Sequence, residues 1–355
     1  MKKAIEKVTE RKNLDSILAR GAMNELMSGE SSETNIGAFL AGLKSKGEST
    51  REIAAFAKVM REKSTTINPE VDKGLVDMCG TGGSRIKTFN ISTVSAFVVA
   101  GAGFPVAKHG NRSNSSQSGS ADTLEAMGVN LDAGPEQVEK SIEETGIGFL
   151  YAPNLHPAMK HAAKPRRELG IRTVFNILGP LTNPASASRQ LLGVYDRELV
   201  NKFPAVLREL GTDRALVVYG LAGIDEISTL GESYVGELKG GKITYQNIHP
   251  DDFGIPTASP SKIRDLPPQE SAKLAIGILK GVVGGAARDV VLLNAGAGIY
   301  VAGGGGSIRE GLEIARRSID SGAAYGKARD LVRKTGTIDV LNGLEDTPTE
   351  EIPYE

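Results

Sequence analysis

The sequence predicts a small helical N-terminal domain followed by a larger α/β domain with a central, mostly parallel sheet. Three observations carry this. Residues 1–70 place apolar side chains at helical spacing and show no strand pattern. From Gly74 onward, strand-like apolar runs alternate with helical ones, the pattern of parallel strands joined by helices. The first such run empties into a glycine turn with a polar helix start behind it.

In the N-terminal part, Leu14, Ile17 and Leu18, then Met23, Leu26 and Met27, recur at helical spacing. A second stripe, Gly37, Ala38, Phe39, Leu40 and Leu43, ends at Gly47. Ser49 caps a third helix, and Glu52 completes a capping box ahead of Ile53, Phe56, Ala57 and Met60. This bundle reads as scaffold.

The stretch Asp77–Arg112 carries the chemistry. Gly74–Met78 predicts a strand that runs into Gly80, Gly82 and Gly83. Glycine permits positive φ and close approach of a ligand to the main chain. Asn90, Ser92 and Thr93 stand where a helix starts, with its body at Val94–Gly101. Strand, glycine turn and helix N-terminus together make a phosphate cradle, because free N–H groups and the helix dipole both favour an anion. The next strand begins near Pro105 and delivers Lys108, His109, Asn111 and Arg112. Consecutive parallel strands present their C-terminal loops at one edge, so both loops face one crevice. Taken singly, the glycines are an ordinary turn and the two cations an ordinary wet loop; their combination points to a site.

Next, Ser118 or Ser120 caps a helix ending at Gly128, and the serine-rich loop offers hydroxyls to a second phosphate. Pro135 and Gly146 frame a helix, followed by a strand at Ile147–Tyr151. A Pro- and Gly-rich block then carries Lys164, Arg166, Arg167 and Arg172. An arginine fork suits a carboxylate, but the sequence does not choose among these. His156 and His161, five apart, do not share a helix face as a metal pair. Strands follow at Ala215–Tyr219 and Lys242–Gln246. Between them, Asp225 and Glu226 in a glycine-flanked loop suit a Mg²⁺ ion or form a solvated acid pair. Helices are predicted around Ser271–Gly284 and Gly311–Ser318, with Gly303–Gly306 a connection. Gly101-Ala102-Gly103 lacks the third glycine and the acid of a dinucleotide fingerprint. The acidic tail after Leu344 is expected to fray.

Composition narrows the function classes. A length of 355 residues suggests about two domains. A net charge of −1 argues against a general nucleic-acid binder, so no nucleic-acid partner is expected. The single cysteine, Cys79, permits no internal disulfide and fits a reducing cytoplasm. With no base near it in sequence, Cys79 reads as a small half-buried residue beside the turn and not as a nucleophile. The charged N-terminus has no signal-peptide core, and the longest apolar run, Val94–Ala107, is too short to span a bilayer. No membrane partner is expected.

The motifs G-T-G-G at 80–83, N-I-S-T at 90–93, K-H-G-N-R at 108–112 and S-G-S-A-D at 118–122 occur in order. H-P-A-M, F-N-I-L-G-P-L-T-N-P, D-E at 225–226 and L-N-A-G at 293–296 follow. Over nearly its whole length the chain resembles the anthranilate phosphoribosyltransferases. That resemblance implies a helical domain of residues 1–70, joined by helices from about 157–190, and an α/β domain of residues 71–355, with the active site in the hinge. It implies Mg²⁺-dependent transfer of the 5-phosphoribosyl group from phosphoribosyl pyrophosphate to the amine of anthranilate, in tryptophan biosynthesis, with release of pyrophosphate. It also implies a cytoplasmic homodimer. By matched position, Gly80, Gly83, Ser84, Thr88, Asn90, Ile91, Ser92, Thr93, Lys108, His109, Gly110, Asn111, Arg112, Ser113, Asn114, Ser115, Ser116 and Ser120 hold the phosphoribosyl substrate. Ser92, Asp225 and Glu226 bind Mg²⁺, two ions per site, and Gly80, Asn111 and Arg166 contact anthranilate, with His109 nearby. No acid, base or nucleophile is assigned: metal, N–H groups and Lys108 meet the charge of the departing anion, and positioning does much of the rest.

Two departures stand out. The family usually has Asp-Gly after G-T-G-G, whereas this chain has Ser84-Arg85, so Arg85 or Lys87 is expected to replace part of the metal's charge and high Mg²⁺ to inhibit less. Ala222 stands where relatives often carry a polar residue. Rival readings are a nucleoside phosphorylase of similar fold and a non-catalytic nucleic-acid-binding relative; K-H-G-N-R and the F-N-I-L-G-P-L block favour the transferase.

Overall fold

The computed structural model describes residues 1–113 and 116–345. Asn114 and Ser115, predicted to touch substrate, and the acidic tail beyond Glu345 lie outside the described residues.

Four helices open the chain: α1 (Lys2–Thr9), α2 (Ser16–Met27), α3 (Glu33–Lys46) and α4 (Thr50–Glu62). The predicted capping box is present at α4, where Ser49 Oγ accepts from Glu52 N at 3.3 Å and the Glu52 carboxylate accepts from Ser49 N at 2.8 Å. Glu52 also accepts from Leu14 N at 2.8 Å and Lys46 Nζ at 2.8 Å, which makes a fully buried carboxylate tolerable. The short helix α1 was not predicted; eight residues with two buried positions give too little periodicity.

The alternating part runs β1 (Val76–Gly80), α5 (Ile91–Gly101), β2 (Val106–Gly110), α6 (Ser120–Ala126), α7 (Pro135–Thr145) and β3 (Ile147–Tyr151). Short helices α8 (Ala152–Leu155), α9 (Lys160–Leu169) and α10 (Phe175–Leu178) lead to β4 (Arg189–Gly193), α11 (Arg197–Glu209), β5 (Arg214–Gly220) and the hairpin β6 (Ser233–Lys239)–β7 (Lys242–Ile248). Helices α12 (Pro268–Leu279), α13 (Gly285–Ala302), α14 (Ile308–Asp320), α15 (Ala323–Thr335) and α16 (Ile338–Glu345) close the described chain.

The sheet has seven strands in the order β3-β2-β1-β4-β5-β6-β7. The first five in that order pair in parallel, and β6 and β7 are antiparallel. Strand order reverses between β1 and β4, so the loops after these two strands diverge and leave a crevice. Period-two alternation divides β1, β4 and β5 between two cores. Val76, Met78, Leu191, Leu216 and Val218 join α5 and α12–α15, while Cys79, Leu192, Val194, Ala215 and Val217 join α11 and the N-terminal helices. Helix α9 packs on α3 and α2, which ties the segment before β4 to the helical bundle.

Several boundaries differ from the prediction. The first strand is Val76–Gly80, two residues later than Gly74–Met78, because Gly80 still pairs with Gly193. The predicted helix at Ser271–Gly284 ends at Leu279, and Gly281 takes a φ of 74° that terminates it. Gly303–Gly306 is a connection, as expected, between α13 and α14. Helix α13 was missed because Gly296 and Gly298 read as breakers, each costing about 1 kcal/mol against alanine. Packing reverses that penalty: a Cβ on Gly311 of α14 would lie 2.1 Å from the Gly296 carbonyl oxygen, so the two backbones touch. Strands β4 and β6 escaped because glutamine, glycine and lysine dilute their apolar pattern.

Candidate active site

The loops after β1, β2, β3, β4 and β5 converge on one cleft of about 790 Å³ at the strand-order reversal. Its walls contain Gly80, Gly83, Ser84, Thr88, Asn90, Ile91 and Ser92 from the first loop and helix α5. Lys108, His109, Gly110, Asn111, Arg112, Ser113, Ser116 and Ser120 come from the second, and Arg166, Asp225 and Glu226 complete it.

Thr93 is the exception. It is 1% exposed and does not line the cleft. One residue along a helix turns the side chain by about 100°, so Ser92 faces the cleft while Thr93 faces the core. Lys108 lines the cleft from a buried position. Its ammonium is buried and donates to the Met78 carbonyl at 2.7 Å and to Ser92 Oγ at 3.3 Å. Burial lowers its pKa against the pull of Asp77 and Glu226. The charge therefore acts on the cleft from a buried side chain. Arg112 is also engaged, pairing with Asp122 at 2.9 Å and Glu125 at 2.8 Å.

Neither Ser118 nor Ser120 caps α6. Gly119 is the cap residue, and the Asp122 carboxylate accepts from Gly119 N at 2.8 Å and Ser113 N at 3.0 Å. Ser118 Oγ instead accepts from the Asn90 amide at 2.9 Å, and the same amide reaches Thr123 Oγ1 at 2.7 Å. Asn90 thus stitches the start of α5 to α6 and aligns two N–H-bearing turns on one space.

The glycine turn is held tightly. Gly82 and Gly83 adopt φ of 65° and 78°, and Gly82 N donates to Asp225 Oδ2 at 2.8 Å. The Ser84 hydroxyl donates to Asp225 Oδ1. Arg172 donates to the Gly83 carbonyl at 2.6 Å and lies over the Tyr195 ring, 4.4 Å from its centre. Arg85 donates to the Ala222 carbonyl at 3.1 Å.

The acid pair rests on α13. Asn294 accepts from Ile227 N and donates to Ile227 O, both at 2.9 Å, from a fully buried position. The Glu226 carboxyl is buried, which pushes its pKa well above the usual range, and neighbouring Asp225 adds to the rise. Two hard-oxygen carboxylates beside the Ser92 hydroxyl are a donor set for Mg²⁺ completed by phosphate oxygens and water. Among the described residues no cluster of three or more His, Cys, Asp or Glu forms a self-sufficient metal cage.

The opposite wall is less polar. Arg166 packs over the Phe175 ring at 5.3 Å, with Met159 and Pro157 nearby in the lining. His109 and His156 meet with ring centres 5.1 Å apart. Burial lowers their pKa values to about 3 and about 4, with mutual repulsion adding to the shift at His109, so both are neutral at pH 7. His161 stands apart from His156, its ring under Gly29. Burial pushes the Cys79 thiol well up, with the nearby Asp77 charge adding to the rise, which is the opposite of nucleophile activation.

His156, Met159, Phe175 and Tyr195 were not predicted as cleft residues. They sit at strand ends and on short helices whose direction sequence spacing does not set. Arg172 and Asn294 appeared in quoted motifs, but their backbone partners are distant in sequence.

Residues 2–64 match the family described as "Glycosyl transferase family, helical bundle domain", and residues 72–325 match "Glycosyl transferase family, a/b domain". A helical bundle beside a sheet with a glycine-lined cleft at its switch point is thus the glycosyl transferase architecture. Anthranilate phosphoribosyltransferase of Thioalkalivibrio sulfidiphilus is 50% identical over 341 residues, covering 95% of this chain and 99% of that protein. The crystal structure of the Thermus thermophilus enzyme of that name is 44% identical, with a TM-score of 0.89, covering 93% of this chain and 98% of that one. The Saccharomyces cerevisiae enzyme in complex with PRPP and Mg is 27% identical, with a TM-score of 0.86 and coverage of 96% and 97%. The chain belongs to the anthranilate phosphoribosyltransferase family.

Proposed function

We propose that this cleft carries out its family's reaction, moving the 5-phosphoribosyl group from phosphoribosyl pyrophosphate to the amine of anthranilate and releasing pyrophosphate, in tryptophan biosynthesis. The bond from the ribose anomeric carbon to the pyrophosphate oxygen breaks. A bond from that carbon to the amine nitrogen forms, and the amine gives up a proton.

The carrying observation is the convergence of a glycine turn, an α5 N-terminus and the Asp225–Glu226 pair on one cleft that also holds Arg166. The diphosphate lies against the N–H groups of Gly83 and Ser84 and the start of α5, where the helix dipole favours negative charge. Gly110–Ser113, Ser116 and Ser120 take the sugar phosphate. Ser92, Asp225 and Glu226 hold Mg²⁺, two ions per site. When bound there, the metal neutralises charge on the pyrophosphate oxygens. Lys108 adds a fixed positive field from its buried position. Arg166 anchors the anthranilate carboxylate, while Gly80 and Asn111 border its ring. The neutral His109–His156 pair provides an aromatic wall. Positioning and charge compensation carry the catalysis.

The helical domain is residues 1–70 with the segment of about 157–190 packed on it, and the α/β domain is residues 71–355. The protein acts as a cytoplasmic homodimer; no helix among the described residues is long and apolar enough to cross a membrane. Loss of anthranilate fluorescence on adding phosphoribosyl pyrophosphate tests the activity. The signal should fall with Mg²⁺, hold without it, and fall far more slowly in Arg166→Ala. Phosphate-dependent nucleoside cleavage in place of this would refute the reading.

A further inference from the structure

We propose that Ser84 is a positioning residue whose hydroxyl holds the Asp225 carboxylate against the glycine turn and competes with a divalent cation for it. The proposal rests on the reading of Asp225 as a metal ligand.

Both Asp225 oxygens are engaged by the turn: Oδ1 accepts from the Ser84 hydroxyl and Oδ2 from Gly82 N at 2.8 Å. Ser84 is only 6% exposed, so its hydroxyl meets little water. The turn is also tied down from outside. Arg172 grips the Gly83 carbonyl at 2.6 Å, Ile86 N donates to the Gly223 carbonyl at 3.1 Å, and Arg85 holds the Ala222 carbonyl at 3.1 Å. Positive φ at Gly82 and Gly83 turns Ser84 inward onto the acid. Gly80 prevents any side chain from intruding, since a Cβ there would lie 2.6 Å from Asp225 Oδ2.

A hydroxyl is a neutral donor, and its bond to a carboxylate is strongest while the acid is ionised. An ionised acid at position 84 would repel Asp225 and could not donate to it. The Ser84 hydroxyl therefore keeps the Asp225 carboxylate oriented toward the turn. A cation that approaches Oδ1 along the lone pair the Ser84 hydrogen occupies displaces that bond, so metal entry from this side is coupled to release of the turn.

The test uses Mn²⁺ as the probe and the full chain. Free Mn²⁺ is measured by electron paramagnetic resonance during titration of wild type, Ser84→Ala, Ser84→Thr and Asp225→Asn. Ser84→Ala should bind Mn²⁺ about three- to tenfold more tightly, since a hydrogen bond to a charged group opposes the ion. Ser84→Thr keeps the hydroxyl and should match wild type, while Asp225→Asn should bind at least tenfold more weakly. Unchanged or weaker binding in Ser84→Ala, with Asp225→Asn weakened, overturns the Ser84 role alone. Unchanged binding in Asp225→Asn overturns the metal reading and the Ser84 role together. Hydrogen exchange gives a second readout: without metal, the 80–86 segment should exchange at least threefold faster in Ser84→Ala, and equal rates refute the restraint.

Discussion

Acidification should destabilise this protein through one pair of rings. His109 and His156 are buried and neutral, with pKa values lowered to about 3 and about 4. In the unfolded chain each returns to about 6.5. Their folded values lie below the unfolded one, so folding is favoured above pH 6.5 and the advantage is lost as pH falls toward the folded values. Between pH 7.5 and pH 5.0 each unfolded imidazole takes up a proton that the folded one refuses, at a cost of roughly 2 kcal/mol per residue and about 4 for the pair. Asp77 and Glu226 work in the opposite direction, because burial raises their pKa values and their folded forms gain from protonation. The histidine contribution is therefore read as a difference. Urea unfolding at pH 7.5, 6.5, 5.5 and 5.0 should show wild type losing about 4 kcal/mol more than the His109→Gln/His156→Gln double variant. Parallel pH profiles for the two proteins would refute the reasoning.

Arg166→Ala removes a half-buried cation over Phe175 and should raise the KM for anthranilate roughly tenfold to a hundredfold, leaving that for phosphoribosyl pyrophosphate within about twofold; steady-state kinetics decide. Gly193→Ala would place a Cβ 1.6 Å from the Asp225 carbonyl oxygen, so the acid loop must shift. It should cost about 2–4 kcal/mol by chemical denaturation and more than tenfold in kcat/KM. Asn294→Ala leaves both backbone groups of Ile227 without their partner and should cost about 2–4 kcal/mol by thermal melting, with weaker Mn²⁺ binding as the companion readout.

Legibility from sequence followed locality. The capping box at Ser49–Glu52, the helix Pro135–Thr145 and the strand Ile147–Tyr151 rest on neighbours in the chain, and the structure places them where the pattern did. The glycine turn and K-H-G-N-R were legible as one crevice because parallel strands share an edge. What was not legible depends on distant partners. The rotation that buries Thr93, the bond from Lys108 to the Met78 carbonyl and the glycine contact that sustains α13 are set by packing across the sheet. The motifs pointed to Arg172 and Asn294 without their targets, since main-chain atoms far along the chain carry no side-chain signature.

The contact between Gly296 and Gly311 reaches further than packing. Asn294, two positions from that crossing, carries the acid loop by the backbone of Ile227. A methyl group added at either glycine would wedge two helices apart and tilt the bracket on which Asp225 and Glu226 hang. In a random mutagenesis screen, such lesions would be scored as active-site defects although the altered atoms never meet a ligand.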